Sequence, residues 1–199
     1  MGNYTIVASS NEIPKEGQLL KKLNYILEWK YGHPMCLNIF VGSKFLQTAQ
    51  SIAFTRDQWE EGPGMENFKA DVQPICAVSD FKTAFDNYSK FLKKIGELGL
   101  NNSSQTDPRG RKFPQVSRDS IAFLIKNRKK YLLTDFTDVA AMGNVRSVSD
   151  INKASMYYIK DCINWMKKMY PKIMVGDKRA VDILSAPDYD WWEDIGIPG

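Results

Sequence analysis

"SRDSIAFLIKNRKKYLLTDF", Ser117 to Phe136, admits two folds. At about 100° per residue, Ser120 to Leu132 forms a helix with Ile121, Leu124, Ile125, Tyr131 and Leu132 on its inward side. Arg118, Lys126, Lys129 and Lys130 then gather on the other side, and Phe123 falls among them. Alternatively, IAFLI and YLLTDF pair as a hairpin turning at Asn127-Arg128, which puts Phe123 beside Ile121 and Ile125. The spacing favours the helix.

Extending the window back to Arg109 adds Arg109, Arg111 and Lys112 beside Phe113. Arg109 to Lys130 then holds eight cations and one anion, Asp119, a local +7 in a chain of net charge +4. Everything else sums to −3. A concentration of charge this local is the footprint expected of a polyanion-binding surface. Arginine forks suit phosphate oxygens, and a ring on a cationic face can stack on an unpaired base, worth about 1–3 kcal/mol.

Working outward, the stretch "NNSSQTDPRGRKFPQ" before the helix carries the strongest turn chemistry in the chain. It divides the sequence into an N-terminal lobe (1–100), a basic linker (101–117), a C-terminal helical lobe (118–186) and an acidic-aromatic tail (187–199). In the first lobe "NYTIVA" reads as a short strand. After Pro14, the spacing of Leu19, Leu20, Leu23, Ile26, Leu27 and Tyr31 predicts a helix. "MCLNIFV" reads as a buried strand, and "QTAQSIAF" fits either state. "SDFKTAFDNYSKFLKKIGELGL" is the clearest helix, with Ser79 as N-cap and an apolar stripe from Phe81 to Leu98 that could pack on the core or on another subunit. In the second lobe, Ser147-x-x-Asp150 opens a helix that Pro171 stops, and a short helix follows at Lys178 to Leu184. The fold expected is α+β and predominantly helical, with two small helical lobes and a few short strands in the N-terminal half.

At 43% hydrophobic and 25% charged, the 199 residues can bury a sizeable core. No apolar run approaches the roughly 18–20 residues of a membrane span, and the N-terminus lacks a basic stretch followed by an apolar one. Cys36, Cys76 and Cys162 are far apart, in apolar surroundings, with no CxxC pair or histidine cluster. Buried reduced thiols, an intracellular location and no metal or cofactor are the expectation. The single histidine, His33, has Cys36 nearby but no orienting partner, and no P-loop, GxGxxG, HExxH or GxSxG is present. Asp188-Asp190 and Asp135-Asp138 lack convincing ligand spacing. No catalytic residue is assigned.

The tail, "PDYDWWEDIGIPG", has four acids, no cation, and Tyr189, Trp191 and Trp192 interleaved. Over these thirteen residues it resembles the acidic C-terminal peptides of single-strand-binding proteins, although its aromatics precede the acids and it ends in Pro-Gly. The resemblance implies a partner-binding tail; the two tryptophans alone suggest docking on the protein or a neighbouring subunit.

Together these features lead to an expected role: a non-catalytic protein coating single-stranded RNA or DNA and self-associating, of viral or phage nucleoprotein type. Arg109, Arg111, Lys112, Arg118, Lys126, Lys129 and Lys130 would hold phosphates, and Phe113 and Phe123 would stack. The alternatives are an inhibitor, immunity or adaptor protein with an acidic partner, and a metal-dependent nuclease whose carboxylates converge only in space.

Overall fold

The computed structural model describes residues 4–18, 20–30, 35–59, 67–99 and 109–184. In chain order the elements are β1 (Tyr4–Ser10), β2 (Asn24–Lys30), α1 (Met35–Gly42), β3 (Phe45–Gln50), β4 (Ile75–Asp80), α2 (Phe81–Glu97), α3 (Phe113–Lys126), β5 (Tyr131–Asp135), α4 (Thr137–Ala140), α5 (Val148–Lys168), α6 (Tyr170–Val175) and α7 (Lys178–Leu184). The strands form one antiparallel sheet in the order β2-β1-β5-β4-β3. The fold is α+β.

β5, from the second half of the chain, lies in the middle of a sheet built otherwise from the first half. The strands are therefore not confined to the N-terminal half. One main cluster joins Val7, Phe40, Tyr88 and Phe91 to Leu124, Leu132, Ile159 and Cys162. It fills the space between one sheet face and the helices. The other face carries a smaller cluster of Ala8, Cys76, Val78 and Leu133, covered by Ile13, Leu20, Leu23 and Ile52.

Two expected elements are corrected. "MCLNIFV" is helix α1, with Met35 to Val41 all buried, packed against α2 and α5 and against β4 and β5. A run without a polar side has no period, so its burial alone cannot tell strand from helix. The helix expected after Pro14 is an irregular segment leading into β2. A bulge between Val7 and Ala8, opposite Leu27 and Tyr25, lets Ile26 and Leu27 both turn into the main core. Adjacent inward residues of that kind mimic helical spacing.

Other expectations match. α2 runs over the expected stripe, and Phe81, Ala84, Tyr88, Phe91, Leu92 and Ile95 on its apolar side are buried in the core. Its cap is Asp80 rather than Ser79: the Asp80 carboxylate accepts from the Thr83 amide at 2.8 Å, whereas the Ser79 hydroxyl donates to the Val41 carbonyl. Ser147 caps α5 as expected, and Pro171 sits in the first turn of α6 just beyond its end. α7 spans the predicted range.

The decisive stretch divides between its two readings. α3 starts earlier than expected, at Phe113 with Pro114 in its first turn, and ends at Lys126; Tyr131 and Leu132 belong to strand β5. Including those two residues in the helix rotates its apparent inward side. The observed buried set is Phe113, Val116, Ser120 and Leu124, with Ile121 and Phe123 packed partly against the core. Ile125, expected inside, is 58% exposed.

α1 approaches α5 so closely at Gly42 that a Cβ there would overlap the Cys162 carbonyl and the Met166 side chain. Gly42→Ala is expected to destabilise the fold by about 1–3 kcal/mol, measured by urea unfolding. Asp80 has its pKa held below the ordinary carboxylate range, first by the Thr83 hydroxyl and amide and then by Lys44 and Lys82. Asp80→Ala is expected to cost about 1 kcal/mol at neutral pH. Because the folded-state pKa is depressed, that difference should vanish as pH falls from about 4 through the folded pKa.

Candidate polyanion-binding cleft

The connection from β1 to β2 is anchored at several points. Ile13, Leu20 and Leu23 pack on the second face of the sheet. The Gly17 amide, at φ +75°, donates to the Gln50 side-chain carbonyl at 3.0 Å, and the Glu12 amide donates to the Ser10 hydroxyl. From the opposite side, the Lys130 amide donates to the Asn11 side chain at 3.2 Å, and the Ser9 hydroxyl donates to the Asn127 carbonyl. Burying the leucines turns the intervening lysines outward.

Between this connection and the start of β5 lies an open cleft of about 1160 Å³. Ser10, Tyr131, Lys15, Lys21, Lys22 and Lys129 are among its lining residues, with a single acid, Glu12. No ion pair with a described residue engages those four lysines. Lys130 holds its ammonium 4.8 Å from the centre of the Tyr131 ring. An unneutralised positive concavity with low-dielectric walls concentrates anions. The chemistry this lining offers is neutralisation of phosphates by lysine ammoniums.

The structure distributes the expected site residues unevenly. Lys129 lines the cleft, and Lys130 sits at its side. Arg109, Lys112, Arg118 and Lys126 are exposed on and before α3. Arg111 is drawn back to Asp119 at 3.0 Å and is only 16% exposed. Phe113 is buried in the main core, away from the surface where it was expected to stack, and Phe123 is partly buried against that core. Tyr189, Trp191, Trp192 and the Asp188-Asp190 pair lie outside the described residues, as does His33.

Lys15, Lys21 and Lys22 are not among the site residues that the sequence points to; the signal for them is the Lys21-Lys22 pair after a proline-glycine stretch.

The other candidate carboxylates have structural tasks. Asp135 is buried and accepts from the Ser51 hydroxyl and from the amides of Ile52, Ala53 and Thr137. Asp138 accepts from the Tyr4 amide at 2.8 Å. Among the described residues no group of three or more His, Cys, Asp or Glu is placed to hold a metal, and no helix is long and apolar enough to cross a membrane. All three thiols are buried; burial pushes Cys76 and Cys162 well above the usual thiol range.

No protein family matches the chain, and comparisons with curated proteins and with solved structures give no match either.

The swapped side chains of α3 give a direct check. Phe113→Ala is expected to lower stability by about 3 kcal/mol, and Ile125→Ala to change it by less than about 0.5 kcal/mol. Equal effects in urea unfolding would contradict the observed helix phase.

Proposed function

We propose that the protein is a non-catalytic nucleic-acid-binding protein that holds single-stranded RNA or DNA by its phosphates. The observation that carries this reading is the lysine cleft, where cations from two distant segments converge with one acid among them. Lys130 extends the surface at one side, and Arg118 and Lys126 on α3 offer an outer track. Self-association through the tail, an intracellular location and a nucleoprotein role in a virus or phage complete the proposal.

A second reading has one observation in its favour. Ile125 is exposed on a helix that also displays Arg118 and Lys126, which is how an interface for an acidic protein is built. Such a partner would compete with nucleic acid for the same cations but give no dependence on oligonucleotide length.

The test is fluorescence anisotropy of labelled single-stranded RNA and DNA across a salt series. Four phosphate contacts in the cleft predict a log–log salt slope of about −3, at roughly −0.7 per contact. Lys21→Glu combined with Lys22→Glu and Lys129→Glu should abolish binding, and Arg118→Glu with Lys126→Glu should weaken it. Absence of binding to either strand at low salt would overturn the reading.

A further inference from the structure

We infer that Tyr25 is the ring on which an unpaired base stacks beside the lysine cleft, which makes the site selective for single strands over duplex. The inference rests on the nucleic-acid reading above.

Phe113 is in the core and Phe123 packs partly against it, so the ring left most open to a base lies elsewhere. Tyr25 is 63% exposed although it lies in a strand. Its place follows from the register. Tyr25 pairs with Ala8, Ala8 with Leu133, and Ser10 with Tyr131. Side chains directly opposite one another share a face, so Tyr25 is on the same face as Ser10 and Tyr131, which line the cleft. Two strand spacings and one two-residue step put the Tyr25 and Tyr131 Cα atoms about 12 Å apart.

Two features keep the Tyr25 ring uncovered. β2 is the edge strand, so no strand flanks it on the outer side. On the inner side its partner is Ala8, whose methyl group cannot cover a phenol ring. The lysines that line the cleft at Lys21 and Lys22 come a few residues earlier on the same chain segment. Glu28, opposite Ile6, and Lys30, opposite Tyr4, continue the exposed positions of β2 on this face beyond Tyr25. A strand with phosphates in the cleft therefore has an exposed ring within reach on the same sheet face. Tyr131 is less suited to the role, because the Lys130 ammonium already covers its ring.

Stacking needs an exposed base face. Duplex bases present only their edges, whereas every unpaired base has a free π-face. The contact adds affinity without neutralising charge, which separates it from the lysines.

The experiment uses the full chain and four labelled ligands of equal length: a single strand, the same strand in RNA form, a duplex, and a single strand with abasic sites. Tyr25→Ala should weaken single-strand binding by about 5- to 100-fold with an unchanged salt slope. Its duplex and abasic-strand affinities should equal those of the wild type. Tyr25→Phe should retain wild-type binding, and circular dichroism should show both variants folded. If Tyr25→Ala binds single strands like the wild type while the Lys21, Lys22 and Lys129 reversals lose them, the stacking inference falls and the nucleic-acid reading stands. Equal losses on abasic and normal strands would also overturn it. If the wild type binds none of the ligands, the reading and the inference fall together.

Discussion

The fold depends on the pairing of β5 along both of its edges. Tyr131 to Asp135 bond to β1 on one side and to β4 on the other, closing a sheet whose other strands come from the first half of the chain. Loop closure over so many residues is entropically costly, and the compensation is apolar burial on both faces of one short strand. Leu132 enters the main core and Leu133 the smaller cluster behind it. The same insertion brings the turn after α3 alongside the β1–β2 connection. Lys129 meets Lys15, Lys21 and Lys22 only because β5 lies next to β1.

At the far end of β5, Asp135 holds the strand to its surroundings. An isolated buried carboxylate would cost several kcal/mol, so it persists only where donors replace the lost water. Here the Ser51 hydroxyl and the amides of Ile52, Ala53 and Thr137 supply them. One side chain thus fixes the turn after β3 and the start of α4 together. This accounts for an acid that looked, in sequence, like half of a metal-binding pair.

Where the sequence was legible, local chemistry and tertiary packing agreed. α2 and α5 have polar faces, caps and long stripes, so period and termination coincide. α1 was illegible because every side of it is buried, and β2 because its bulge brings Ile26 and Leu27 inward together. The basic segment was legible as charge but not as geometry. Its phase was displaced by Tyr131 and Leu132, whose burial belongs to the sheet. That displacement put Phe123 outside and Ile125 inside, the reverse of their placement. The lysines of the first connection are spread over eight residues of sequence, and only the fold brings them to Lys129.

The type of cation in the cleft bears on what it can recognise. Lysine ammoniums are compact, strongly hydrated point charges without the planar fork that arginine brings to a guanine edge or a bidentate phosphate. The arginine nearest to being pre-organised, Arg111, is drawn back onto Asp119. Asn11, a polar group that might otherwise read a base, already accepts from the Lys130 amide. A lysine-lined cleft therefore favours charge over identity, and discrimination falls to shape. For a single-stranded polyanion the shape difference that matters is whether its bases are free to leave the stack, and that is the difference the stacking role inferred for the exposed Tyr25 ring would read.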